Sequence, residues 1–243
     1  MNDQLLDIVQ HTHNLGGIDI VKVTGTDTST TINAMSENHC IILDAKFNGP
    51  IAEFIGVFGM PNLDKLSTIL NISEYSKDAK ISISRQAKDE GLVPVGIHFE
   101  NKAGDFKNDY RFMSATIINE KLKAVVMKSV KWGVEVVPTN LSIQRLKFQY
   151  SANSDQTTFT TKTDKGDLNL YFGDHSSHAG NFTFASGITG SLSKSWGWPL
   201  SAVIEILSLP GDKIFRISDE GVAQITVDSG IAVWNYTLPA HIK

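Results

Sequence analysis

A chain of 243 residues, 41% hydrophobic and 20% charged, has room for two ordinary domains and carries no segment polar enough for a long disordered tail. A net charge of −4 argues against a conventional high-affinity nucleic-acid binder, though it leaves room for a local positive surface on an acidic body. The single cysteine, Cys40, excludes an intramolecular disulfide and a cysteine-cluster zinc site and fits a reducing, cytoplasmic setting; no apolar run approaches the ~18 residues of a membrane span. The opening "MNDQLLDIVQHTHN" has neither the basic region nor the cleavage site of a signal peptide.

Taken in chain order, residues 3–14 predict a helix with Leu5, Leu6 and Val9 on one face. Alternating runs at 18–24, 30–36, 40–47, 79–85, 93–100 and 109–115 predict strands, interrupted by a second helix over 62–71. Residues 116–132 have no strong periodicity but four lysines, Lys121, Lys123, Lys128 and Lys131, and read as an interdomain connector. A strand is expected at 133–138, then a helix over 139–152 that starts at a Thr139 cap after Pro138 and places Ile143, Leu146 and Tyr150 on its core side. Further strands are expected at 157–163, 167–173, 180–187, 213–218, 223–229 and 231–238, with "TDKGD" and "SDEG" as hairpin turns. A last helix over 199–208 opens on Pro199, a residue suited to a first helical turn.

A repeat runs through this order. Leu63, Leu66, Ile69 and Leu70 of "NLDKLSTIL" recur 137 residues later as Leu200, Val203, Ile206 and Leu207 of "PLSAVIEIL". The same offset takes Leu6 to Ile143 and Val9 to Leu146. Each half then reads as helix, strands, helix, strands, which points to a duplicated domain. The expected organisation is an N-terminal domain over 1–116, a connector over 117–131 and a C-terminal domain over 132–243.

An α+β domain of two helices and roughly eight strands, used twice, resembles the design of DNA sliding clamps. The chain is similar to the replication clamps of T-even-like phages, relatives of proliferating-cell nuclear antigen. The resemblance covers nearly the full length, and its residues are "MSENHCII" (35–42), "WPLSAVIEILSLPGDKIFRISDEG" and the ending "YTLPAHIK". It implies a non-catalytic homotrimeric ring, without cofactor, that surrounds duplex DNA regardless of sequence. An ATP-dependent loader would open the ring, which would tether the DNA polymerase and other replication factors in an infected bacterial cytoplasm. Weak phosphate contacts suit sliding, because a closed ring holds DNA by topology. Arg145, Lys147 and Gln149, together with Lys65, Lys121 and Lys123, are the expected DNA-facing residues. A partner-peptide pocket between the halves is expected from Met35, His39 and Ile42, from Val125 and Met127 of the connector, and from Tyr236, Leu238, Pro239 and Ala240. Leu141 and Phe148, opposite the core stripe of their helix, are candidates for a subunit interface.

Two other classes have residues to speak for them. "GDHSSHAG" (173–180) offers Asp174, His175 and His178 as metal ligands, or Ser176 and Ser177 beside histidine for hydrolysis, but a glycine-bounded polar loop collects these residue types for turn reasons alone. His11 and His13 of "HTHN" point in different directions on a helix. Trp196 and Trp198 of "SWGWP" suggest sugar stacking, and with it a carbohydrate-binding or virion structural β-protein. No phosphate-binding loop, dinucleotide fingerprint, zinc-protease helix or nucleophile elbow is present.

Overall fold

A computed structural model describes residues 1–88, 91–123, 129–173 and 178–241. The chain divides into two compact units, Met1–Val125 with Ser229–Trp234, and Val126–Asp228 with Asn235–Lys243.

In the first unit, helix α1 (Asn2–His11) precedes strands β1 (Ile20–Gly25), β2 (Thr30–Met35), β3 (Ile42–Phe47) and β4 (Gly56–Pro61). Helix α2 (Leu63–Leu70), strands β5 (Lys80–Lys88), β6 (Gly91–Glu100) and β7 (Lys107–Arg111), and helix α3 (Ala115–Lys121) follow. The first four strands are antiparallel in the order β4-β1-β2-β3, and the next three form the sheet β5-β6-β7. Strict alternation puts Val21, Val23, Ile32, Leu43 and Ala45 inside, and Leu5 and Ile8 of α1 and Leu63 and Leu66 of α2 are buried as well.

Two elements of this unit differ from expectation. Strand β4 is a strand with the composition of a turn, through Gly56, Gly59 and Pro61. Gly59 is there for closeness: a Cβ on it would sit 2.8 Å from the Ile118 side chain. That same Ile118, fully buried, anchors α3, so the expected connector begins as a helix.

The second unit contains β8 (Val134–Val136), α4 (Asn140–Ala152), β9 (Thr158–Asp164), β10 (Asp167–Phe172), β11 (Gly180–Ser186) and β12 (Gly197–Pro199). Helix α5 (Leu200–Ser208), β13 (Asp212–Ser218), β14 (Val222–Asp228) and β15 (Ala232–Pro239) complete it, although Ala232–Trp234 of β15 pack with the first unit, next to β3. Strands β12-β9-β10-β11 form one antiparallel sheet, and β14, β13 and β8 are neighbours in another. The β9–β10 hairpin turns on Lys165 and Gly166, both at positive φ (49° and 84°), which is the twist-matched two-residue turn. Trp198, Leu200, Val203, Ile206 and Phe215 are fully buried in the core.

The two units share one circuit. Each has a helix, four strands in the spatial order fourth-first-second-third, a second helix and three more strands. The offset of 137 also holds for burial: Leu63, Leu66 and Ile69 are buried, and so are Leu200, Val203 and Ile206. The fold is α+β, built from a repeated two-helix unit.

Candidate nucleic-acid and partner surfaces

Helix α4 is the element to which most of the DNA-facing expectations attach. Its start is fixed by a capping box. Thr139 Oγ1 accepts from the Ser142 amide at 3.0 Å, and Ser142 Oγ accepts from the Thr139 amide at 2.9 Å. The face turned inward is more polar than expected. Ser142 and Leu146 are buried, Gln149 is half-buried, and buried Asn153 donates to the Gln149 carbonyl (2.9 Å) and to Gln149 Oε1 (3.0 Å). Gly180 at the start of β11 makes space for this amide, since a Cβ there would meet Gln149 Oε1 at 2.4 Å.

The expected core stripe is therefore corrected. Leu146 holds its place, but Ile143 is only half-buried and Tyr150 is 39% exposed. Gln149 turns towards β11 and is not a free polar head. Arg145 and Lys147 are exposed, and among the described residues neither lies within ion-pair distance of a carboxylate. Leu141 (57%) and Phe148 (64%) stand open to solvent on the same helix instead of tucking into their own unit. Lys65 is exposed on α2 beside Asp64, whose Oδ1 lies 3.5 Å from His13 Nε2. Lys121 ends α3 and Lys123 follows it, both exposed.

Next to Lys147, α4, α5 and the start of β13 enclose an open cleft of about 430 Å³ that sequence reasoning missed. Asn140, Gln144, Lys147 and Lys213 supply polar walls around Ile143, Leu207 and Leu209. Lys213 Nζ donates to the Gly211 carbonyl at 2.8 Å. Burial lowers its pKa from the ordinary lysine value, against the opposing field of Asp212. Only the pairing of α4 with a strand 60-odd residues later reveals the cleft, so no local pattern announces it.

The residues expected to meet a partner peptide separate into accessible and packed groups. The loop after β2 is braced by side chains: Ser36 Oγ donates to Asn38 Oδ1 at 2.8 Å and accepts from the Ile41 amide at 2.9 Å. This holds His39 at φ 57° with Nδ1 3.2 Å from Met35 Sδ. His39 is exposed, and Met35 and Ile42 are half-buried. Tyr236 and Leu238 are fully buried in the single chain, at inward-facing positions of β15. Pro239 is exposed. Ala240 is half-buried, its amide donating to the Gly221 carbonyl at 2.9 Å. Val125 and Met127 lie outside the described residues, as do Lys128, Asp174, His175, Ser176 and Ser177.

The tryptophans lose their sugar-binding geometry. Trp198 is fully buried, its Nε1 donating to Thr161 Oγ1 at 3.0 Å. Trp196 Nε1 donates to the Asp219 carbonyl at 2.9 Å, and Lys194 Nζ sits over its ring, 5.6 Å from the centroid. Burial works against ionisation of Asp219, but hydrogen bonds from Ser193 and Lys194 to its carboxylate prevail and hold its pKa below the usual range. Among the described residues no group of three or more His, Cys, Asp or Glu is arranged to hold a metal ion, and no helix is long and apolar enough to cross a membrane.

The fold is similar to that of solved PCNA structures. A structure of A. fulgidus PCNA bound to the C-terminal region of FEN-1 matches with a TM-score of 0.69 at 10% identity, over 100% of this chain and 96% of that one. PCNA from Entamoeba histolytica matches at 0.69 with 12% identity, over 97% and 95% of the two chains. PCNA from Thermococcus kodakaraensis matches at 0.68 with 9% identity, over 99% and 97%. No protein-family model matches the chain, and no curated protein matches it. The chain has the PCNA-type clamp fold from end to end.

Proposed function

We propose that the chain is a DNA sliding clamp, a non-catalytic processivity factor. Three copies form a ring around duplex DNA and tether the DNA polymerase and other replication factors after loading by an ATP-dependent loader. On the resemblance to T-even-like phage clamps, the setting proposed for this work is an infected bacterial cytoplasm. The observation that carries the reading is the full-length clamp circuit together with its free edges. Strand β3 is neighboured by the opening of β15. Their counterparts in the repeat are β11 and β7, and each of these is an outer strand of its sheet among the described residues. An outer strand presents unpaired backbone groups and favours pairing with another chain. A β7 edge from one copy laid along β11 of the next is a head-to-tail contact of the kind that closes rings. Exposed Leu141 and Phe148 supply apolar surface for the same junction.

Arg145 and Lys147 would face the DNA, with Lys65, Lys121 and Lys123 as further cations. Met35, His39 and Ile42, and separately Pro239 and Ala240, would contact partner peptides through apolar anchors. FEN-1 contributes its C-terminal region to one of the matching structures, and a short segment of that kind is the ligand expected here. The test is primer extension by the cognate polymerase on a long template. Longer products are expected only when the chain, its loader and ATP are all present. Unchanged product length under those conditions would overturn the proposal.

A further inference from the structure

The turn between β13 and β14, residues 218–221, is hydrogen-bonded to three other stretches of chain, all in the second unit. The first is the end of the expected connector. Buried Ser218 donates its hydroxyl to the Lys131 carbonyl at 2.7 Å, and the Lys131 amide reaches Glu220 Oε1 at 3.4 Å. One residue before the turn, the Ile217 carbonyl accepts from the Gly133 amide at 2.9 Å. The second stretch, 193–197, comes to Asp219. The Ser193 and Lys194 amides donate to its carboxylate at 3.0 Å, and the Ser193 hydroxyl donates at 2.7 Å. Trp196 Nε1 closes on the carbonyl of the same aspartate. The third stretch is the tail after β15. The Ala240 amide donates to the Gly221 carbonyl, and the His241 amide to the Gly197 carbonyl, each at 2.9 Å. Gly221 stands at φ 80°, and a Cβ on it would lie 3.5 Å from the Trp196 ring and 3.6 Å from Ala240 Cβ. Ring and tail therefore rest against the turn together. Turn, loop and tail form a closed circuit of hydrogen bonds, and the connector end hangs on the same turn.

We infer that Asp219 is a positioning residue for the partner-peptide surface of the second unit: its carboxylate fixes the turn that holds both the connector end and the tail. The inference rests on the clamp reading for the surface itself, which is formed there by Pro239 and Ala240. The coupling of the three stretches through one turn stands without that reading. A carboxylate that accepts from three N–H and O–H groups makes charge-assisted bonds, roughly twice as strong as neutral ones. Its loss would leave the Ser193 and Lys194 amides without this acceptor. Little else fixes the loop. Ser193, Lys194 and Ser195 are exposed, and Trp196 is the one large apolar side chain of 193–196, half-buried against Gly221. A segment with so little apolar burial opens locally at low cost, and its hydrogen bonds decide how often. When this loop opens, the tail loses the Gly197 carbonyl and the Trp196 ring, and the turn loses the bonds that set its shape. The turn is also the anchor of Lys131 and Ala240, so connector end and tail loosen together. A peptide that docks on a tail already held in place is spared the entropy of ordering it. Asp219 therefore acts on the partner through the chain segments it organises.

The test is amide hydrogen exchange on the full-length chain in its native oligomer, wild type against Asp219→Ala, read by mass spectrometry on overlapping peptides. Residues 131–133, 193–197 and 240–241 are expected to exchange several-fold faster in the variant, all three together, while β1 and β2 keep their wild-type rates. Acceleration confined to 193–197 overturns the inference, because Asp219 would then serve its own loop alone. If exchange also rises in β1 and β2, Asp219→Asn replaces the alanine variant and is judged by the same criterion, since asparagine keeps the side-chain shape and one acceptor oxygen. The second arm is primer extension by the cognate polymerase with loader and ATP. At limiting polymerase, Asp219→Ala is expected to shorten the products several-fold and Asp219→Asn less, and raising the polymerase concentration should restore the length. That recovery marks weakened partner binding, which general destabilisation of the chain would not produce. Products as long as those of the wild type would remove Asp219 from the partner surface. The two failures stay apart: no loader-dependent extension by the wild type removes the clamp reading, whereas the exchange result stands or falls by itself.

Discussion

Helices α1 and α4 occupy the same place in the repeat, and they differ in one respect. Leu5 and Val9 of α1 are buried, and so are Ser142 and Leu146 at the same positions of α4. The neighbouring positions diverge. Asp7, Ile8 and His11 are buried, while Gln144, Arg145 and Phe148 are exposed. In α1 this second face is covered by the end of the chain. Trp234 stacks on His11 with 4.7 Å between ring centroids, and Trp234 Nε1 and Ser229 Oγ each donate to Asp7 Oδ2 at 3.0 Å. Helix α4 has no such cover among the described residues. It buries two of its thirteen residues where α1 buries five of ten, and that bare surface carries the cations and the exposed aromatic. The two repeats share the packing face of this helix and differ on the other.

Removing the cover of α1 should have the largest effect. Trp234→Ala deletes a fully buried indole and is expected to cost about 4 kcal/mol, measured by denaturant unfolding. A cost below about 1 kcal/mol would mean that the face is not sealed. Asp7→Asn sharpens the same point through pH. Burial raises the Asp7 pKa, outweighing the hydrogen bonds from Ser229 and Trp234. The native state therefore binds this proton more tightly than the unfolded chain does. The stability linked to it is present below the ordinary carboxylate pKa and lost as pH rises through the folded value. Asparagine keeps an acceptor for the two donors without the buried charge. The variant should gain on the wild type at neutral pH, and the gap in melting temperature should close on acidification. A constant gap across pH would contradict the role assigned to burial.

On α4 the expected effects on folding are small. Phe148→Ser should change unfolding by less than about 0.5 kcal/mol, because the ring is already in solvent, while weakening association between copies. Light scattering on dilution checks the second effect, and an unaltered dissociation would take Phe148 out of the interface. Arg145→Gln should leave stability unchanged and reduce the salt slope of duplex binding by about 1.

The amphipathic helices α2 and α5 were legible because four apolar residues recur at helical spacing in each. The Thr139 cap was legible because its partners lie within one turn. The buried side of α4 was misread for a physical reason. Ser142, Gln149 and Asn153 go inward because hydrogen bonds satisfy them, and hydrophobic periodicity does not register satisfied polar groups. Strand β4 was hidden by Gly59, whose purpose emerges only once Ile118 packs on it. The three-residue strand β12 is too short to leave a pattern. The cover on α1 joins residues more than two hundred positions apart, as does no local motif. The cleft at Lys213 escaped in the same way. Long-range pairings of this kind decide which polar residues are packed and which are offered to a ligand.

Copies of this chain are proposed to close into a ring through β7 and β11, each an outer strand among the described residues. Solution mass by light scattering over a concentration series tests it most directly. The account predicts a species of three times the 26.6 kDa chain mass that dissociates on dilution. A strict monomer at tens of micromolar would contradict it.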